Sequence, residues 1–468
     1  MNWRFGMVLA GLLAGCSLGP RYARPGQDIP PAFAATAESG AAAWPAAEWW
    51  RGFGSPELDG LIADARAYNN DLAAAAARVV QADAQVRISG APLLPQVNAQ
   101  TNYAYQKAGS ARRSQSGDKF GGKRYADSRS YQGEITISYD LDFWGRNRAL
   151  AEAAQSSAVA TRYDQETVAL SVVSSVALTY FQMAAAQDRL AVAGRNLKDA
   201  QQILAAYKAR LTVGTANALD VSQQEALVAG QLALIPQDRN SIEQQRLALG
   251  ILTGRPPERL QVKGGSLAPL LLPVVTPGLP AALLERRPDV ASAEAQLIAQ
   301  NGNIRAARAA FYPSIQLTAA GGLSSLALST ITGPGSLVAS LTNQITQSIF
   351  DNGQRRGQLN QAKGRYDELV ADYRKAVLQS FTEVEQALAA FRFTTEQEAL
   401  ERQAVAVAQR SSDIARAQLQ AGTIDIITSL NTQTTLYNDL DALTQVRLAR
   451  FQALVNLYKA LGGGWKAG

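Results

Sequence analysis

The chain has 468 residues, with 45 basic and 39 acidic side chains for a net charge of +6, no histidine and one cysteine. These counts exclude His/Cys metal clusters, Ser-His and Cys-His catalysis and a disulfide framework. The carboxylates form no paired-acid motif, and no nucleophile elbow or phosphate loop stands beside them, so neither an enzyme nor a cofactor is expected. Basic and acidic residues are interspersed along helical stretches, without a basic patch interleaved with aromatics, so nucleic acid is not an expected partner.

Residues 1–15 hold Arg4 and then an apolar run too short to span a bilayer as a helix, which reads as a secretory signal. Leu13-Ala14-Gly15-Cys16 resembles the bacterial lipoprotein signal. The resemblance implies cleavage before Cys16 and acylation of that residue as the lipid anchor, and Ser17 after it implies the outer membrane. Residues 16–55 form the tether, rich in Pro, Ala and Gly. Ser55 and Pro56 start a helix predicted to run from Pro56 to Ser89. Gln96 to Gln106 alternates Val97, Ala99, Thr101, Tyr103 and Tyr105 with polar residues, a strand of the length that crosses a bilayer within a barrel. The basic stretch Lys107 to Arg129 reads as a loop against solvent or anionic headgroups. A second strand follows through Ile135, Ile137, Tyr139, Leu141 and Phe143. A helix from about Arg146 to Arg210, a break at Leu211–Asp220 and a helix from Ala218 to Leu252 complete the unit. Thr167 to Gln187 carries no formal charge, but Ser171, Ser174, Ser175, Thr179 and Gln182 form one stripe, so it reads as a packing helix, not a span.

This unit occurs twice. Gly145, Gly214 and Gly254 recur as Gly353, Gly422 and Gly462, each 208 positions on, and Asp71 and Pro95 recur 218 positions on as Asp289 and Pro313. The first repeat is therefore 56–254 and the second 285–462, joined by a proline-rich segment 255–284 that reads as an outer belt, with 463–468 as a tail. The second pair of strands is predicted at Ser314–Ser324 and Ser340–Phe350, turning at Gly333–Ser336, and the second long helix at Gln354–Gln418 with its break at Leu419–Thr428. Arg286-Arg287-Pro288-Asp289 opens this repeat as a helix start.

Strands cross hydrocarbon only in a closed barrel, and four are too few to close one, so the barrel must be shared between copies: eight strands from two chains or twelve from three. The long helices each reach roughly 100 Å at ~1.5 Å per residue. The fold class is thus mainly α with a small β part, a duplicated strand and long-helix unit. Trp49-Trp50-Arg51-Gly52-Phe53, Arg286 to Val290, Leu219-Asp220-Val221-Ser222-Gln223 and Leu457 to Trp465 together resemble an outer-membrane efflux lipoprotein of the TolC and NodT type, over essentially the whole mature chain. The resemblance implies a homotrimer with a twelve-stranded barrel in outer-membrane lipid, continued by a periplasmic helical tunnel. It further implies a periplasmic membrane-fusion adaptor and an inner-membrane pump of the RND type as partners, and passive conduction of drugs or other small molecules.

The two breaks then correspond to the periplasmic tip, with Leu211, Val213, Gly214, Thr215, Ala421, Gly422, Thr423 and Ile424 as adaptor-docking residues. Asp425, Asp220, Thr428 and Asn431 are the gate candidates. Relatives carry acidic residues at the positions of Thr428 and Asn431, which are neutral here. In a closed trimer three copies of Asp425 near the axis would repel and gain proton affinity. The alternative reading is a structural coiled-coil lipoprotein bridging envelope layers without channel activity, which leaves the alternating strands unexplained.

Overall fold

The computed structural model describes residues 22–27, 29–33, 44–107, 128–273 and 280–466. The expected signal 1–15, Cys16 and residues 108–127 of the basic stretch lie outside the described residues.

Helix α1, Pro56–Tyr68, starts where Ser55 accepts the Leu58 N–H and Pro56 takes the first turn. The helix expected to continue to Ser89 stops here. Asn69 is extended (φ −65°, ψ 129°), and its side-chain oxygen accepts the N–H groups of Asp71 and Leu72. A short polar side chain that caps locally ends one helix and begins the next, so α2 runs separately over Asn70–Gly90.

Strands β1 (Gln96–Gln106), β2 (Ser128–Asp140), β3 (Ser314–Ser325) and β4 (Leu337–Thr346) make one antiparallel sheet in the order β1-β2-β3-β4. The pairing of β2 with β3 joins the two repeats. Two predicted boundaries move. β2 ends at Asp140, with Leu141 N–H still donating to Ile315 O at 2.8 Å. β4 lies three to four residues earlier than expected because Thr346 pairs with Ser314, the first residue of β3, and residues 347–350 have no strand left to meet.

The remaining helices longer than one turn are α3 (Arg146–Thr212), α4 (Ala218–Leu252), α5 (Pro288–Ala309), α6 (Gln354–Gln420) and α7 (Ile426–Ala460). α3 and α6 each have 67 residues and α4 and α7 each have 35, so the helices of the two repeats are matched in length.

The chain divides into two compact units. One comprises Gln81–Val159 and Ala295–Val370 and contains the whole sheet. Here Gly302 of α5 lies so near Ala149 and Ala153 of α3 that a side chain would have no room.

The other unit comprises Pro25–Val80, Ala160–Glu294 and Ala371–Gly468. Its core is aromatic: Trp49 stacks on Tyr458 at 4.7 Å, and Phe181 meets both Phe53 and Phe451 at 4.9 Å. The Trp49–Phe53 motif is a single tight turn whose Trp49, Trp50 and Phe53 are all buried. Phe181 belongs to the uncharged stretch of α3. Its apolar window is long enough to cross a membrane, but 56% of it is buried in the protein's own packing. Of the polar stripe, Ser174 is buried and Ser171, Ser175, Thr179 and Gln182 are half-buried. The belt is pinned across this region by Glu57, which accepts from Lys263 and Gly264 N–H, and by Asp188, which accepts from Leu267 N–H.

Two equivalent joints complete this unit. At one, Asn69 Nδ2 donates to Leu252 O at 2.8 Å, and Gly254 (φ 65°) lies against the Tyr68 carbonyl. At the other, Arg287 Nη1 donates to Ala460 O at 3.2 Å, and Gly462 (φ 83°) lies against the Arg286 carbonyl. Each joint brings the end of a post-break helix to the start of a pre-strand helix, and each needs a glycine twice over, for positive φ and for close approach. Arg287 is buried and held by Asp289 at 2.6 Å and Glu383 at 2.7 Å.

Candidate functional site

The sheet has two chemically distinct faces. Directly opposed residues of antiparallel strands project to the same side. The register therefore places Val97, Ile137, Ala319 and Leu341 in one row, and Gln96, Ser138, Thr318 and Thr342 in the adjacent row on the other side. The apolar face is open, with Val97 65% and Leu341 74% exposed. The polar face carries two charged residues among the described strands, Glu134 and Asp140, both acidic. Tyr103 and Tyr131 pack at 4.9 Å toward one end of the sheet. Trp144 and Tyr312 stack at 4.7 Å at the other, where the Trp144 indole N–H donates to Pro313 O. Strands of 10 to 13 residues with one apolar and one polar face and aromatics at both ends match a membrane barrel wall.

The helix breaks form two turns of one design. Gly214 has φ 76° and Gly422 has φ 73°. The backbone N–H and hydroxyl of Thr215 both donate to Arg210 O, and those of Thr423 both donate to Gln418 O. The returning helices are capped differently. Asn217 caps α4 in a reciprocal box with Asp220, whereas Asp425, at the position equivalent to Asn217, caps α7 by accepting the Thr428 N–H at 2.7 Å. That hydrogen bond holds the Asp425 carboxyl below the usual carboxylate range. Within one chain, capping thus acts in the direction opposite to the rise in proton affinity expected from a ring of like charges.

Beneath the turns, Tyr207, Val221, Leu419 and Ile426 form a buried cluster from all four helix ends, with Ile203, Leu204, Ala216, Ile424 and Leu430 packed against it. A hollow of about 320 Å³ lies alongside, lined by Ile203, Tyr207, Arg210, Arg416 and Leu419. The Arg210 guanidinium sits 5.9 Å over the Tyr207 ring. Burial pushes the Tyr207 phenol up, and Arg210 opposes that shift.

α6 carries two heptad seams. Val377, Val384, Glu398, Ser412 and Leu419, at multiples of seven, are buried in the chain's own packing. Phe393, Leu400, Val407 and Ile414, also seven apart, are exposed, Leu400 at 58% and Ile414 at 59%. Gln397, Ala404, Ser411 and Gln418 alternate with them, so this second seam is uncharged.

Comparison with known proteins decides the family. The model of the family described as "Outer membrane efflux protein" matches residues 61–255 and 279–463. The chain belongs to the outer membrane efflux protein family. It is 38% identical to the pyoverdine export outer membrane protein OpmQ of Pseudomonas aeruginosa, over 90% of this chain and 88% of that one. It is 31% identical to the probable outer membrane lipoprotein SilC of Salmonella typhimurium, over 97% of both. The crystal structure of the open state of the Neisseria gonorrhoeae MtrE outer membrane channel superposes with a TM-score of 0.86 at 29% identity, covering 96% of this chain and 99% of that one.

This efflux protein is accordingly an outer-membrane channel and not an enzyme, as the sequence led one to expect. Of the residues expected at the tip, Leu211, Val213, Gly214, Thr215, Ala421, Gly422 and Thr423 are exposed on the two turns, but Ile424 is half-buried on the cluster beneath. Asp425, Thr428 and Asn431 are exposed and Asp220 is half-exposed. Two outward apolar residues within the breaks were missing from the expected docking residues: Leu219 (63% exposed) and its equivalent Ile427 (53%), each in the first turn of its returning helix. Their 208-residue spacing was the available signal.

Proposed function

We propose that three copies of this channel close their sheets into a twelve-stranded barrel, with the helices of the second unit lining a periplasmic duct. The turns at Gly214 and Gly422 dock on a membrane-fusion adaptor that serves an inner-membrane pump of the RND type. The observation that carries this reading is the open sheet, whose two edge strands and exposed apolar face require both neighbours and lipid. Three chains are favoured over two because the interior of an eight-stranded barrel is filled by its own side chains, whereas twelve strands leave room for cargo. The uncharged second seam of α6 supports lateral packing of helices between copies. Relation to a pyoverdine exporter supports small organic molecules as cargo, and relation to a probable lipoprotein supports Cys16 as the acylated anchor.

Conductance in planar bilayers, with heat-modifiable migration of the assembled species, tests the channel; a protein that assembles but never conducts would leave only the structural-bridge reading. At the tip, Val213→Asp, Leu219→Asp or Gly422→Val should abolish export in a deletion strain while assembly persists. Normal export would place adaptor docking elsewhere. If Asp425 also rings the axis, divalent cations should block conductance from the periplasmic side and Asp425→Asn should weaken the block. An unchanged block would leave Asp425 with its capping role alone.

A further inference from the structure

Where the strands pass into the helices, the chain is rich in arginine and free of lysine. Arg87 precedes β1, Arg146 and Arg148 follow β2, Arg305 and Arg308 precede β3, and Arg355 and Arg356 follow β4. The carboxylates nearby are engaged. Asp142 accepts the N–H groups of Asn147 and Arg148, Asp351 accepts those of Gly353 and Arg355, and Glu152 pairs with Arg305 at 2.5 Å. Arg146 and Arg355 line a hollow of about 110 Å³ with Asp140 and Thr346, at the helix end of the sheet. Arg87, Arg148, Arg308 and Arg356 remain, none with an ion-pair partner among the described residues; Arg308 is half-buried, and Arg87, Arg148 and Arg356 are exposed. Arg148 and Arg356 are equivalent positions of the duplication. All three exposed arginines lie within ten residues of a strand end, each beyond an exposed apolar side chain: Leu94 for Arg87, Phe143 for Arg148, and Ile349 and Phe350 for Arg356.

We infer that Arg87, Arg148 and Arg356 form a collar that binds the phosphates of anionic phospholipids in the periplasmic leaflet. The inference rests on the channel reading above, which makes the helix side of the sheet periplasmic. Aromatic residues settle at headgroup depth, and the next residues along the chain then stand at the phosphates. A guanidinium grips a phosphodiester through two parallel N–H donors, which an ammonium cannot do. The absence of lysine at all four passages is what such recognition selects, and the capped carboxylates leave the collar's charge unopposed.

The test uses the full chain purified in detergent, supplied with phosphatidylglycerol, and native mass spectrometry to count retained lipid. The triple variant Arg87→Gln/Arg148→Gln/Arg356→Gln should retain at least ~5-fold less phosphatidylglycerol, the factor that one juxtamembrane basic residue carries. The triple lysine variant should retain an intermediate amount, and millimolar inorganic phosphate should displace none. Equal retention in the glutamine variant, or displacement by inorganic phosphate, would overturn the collar. Heat-modifiable migration reports assembly of each variant, and if the triple fails to assemble, Arg148→Gln and Arg356→Gln singly give the same reading. Conductance of the wild type is measured in parallel: its loss would sink the channel reading, whereas arginine-independent lipid retention sinks only this one.

Discussion

Glu398 shows how much of this molecule is decided by single side chains that sequence leaves anonymous. It is 2% exposed and bonded to Arg402 at 2.6 Å, Arg450 at 2.9 Å and Arg447 at 3.2 Å. Burial works against its charge, and the three guanidinium groups overcome it, so its carboxyl stays below the usual glutamate range. A carboxylate with a depressed folded pKa stabilises the fold above its unfolded value, and that stability is lost as pH falls through the folded one. Glu398→Gln, which leaves three arginines without their anion, should therefore cost about 3 kcal/mol at neutral pH, read as a lower thermal midpoint by circular dichroism. The gap to wild type should close as pH falls below the ordinary glutamate range. In the sequence Glu398 is one acid among many on α6, and two of its partners lie about fifty residues away on α7. The turn glycines, by contrast, were legible because duplication prints each of them twice.

At the scale of elements, the same duplication located the long helices and turns to within a few residues. The departures from it have local causes. Asn69 splits α1 from α2 because its backbone N–H closes α1 on Ala65 O while its side-chain oxygen caps α2, whereas Arg287, its equivalent, uses a guanidinium to reach Ala460 O. β4 is displaced because its register is set by β3, a pairing that no single strand encodes. The joints and turns also give a paired prediction. Gly254→Ala and Gly462→Ala combine positive φ with collision against the carbonyls of Tyr68 and Arg286. Gly214→Ala and Gly422→Ala have positive φ and open space. The turn variants should lose only about 1–2 kcal/mol, and the joint variants distinctly more. Thermal denaturation of the four proteins side by side measures the difference; equal losses would mean that the joints relax to admit a methyl group.

At the scale of the whole molecule, the open sheet and the second seam of α6 make association between copies the central physical question. The seam predicts that Leu400→Asp or Val407→Asp, a charge within an uncharged coiled-coil interface, abolishes the heat-modifiable species while helix content by circular dichroism is retained. Assembly that survives either substitution would place lateral packing on another helix. Function class was legible in the sequence through alternating strands, long duplicated helices and the motifs that carry the family resemblance. The seam's exposure was not, since only packing separates the buried heptad from the free one. One consequence concerns biogenesis. An unassembled chain presents two unsatisfied strand edges and four heptads of sticky helix at once, so its lifetime in the periplasm is a hazard that grows with its concentration. Overproduction should then divert the protein into inclusions more steeply than in proportion to its synthesis, because productive closure competes with every other encounter the same surfaces allow.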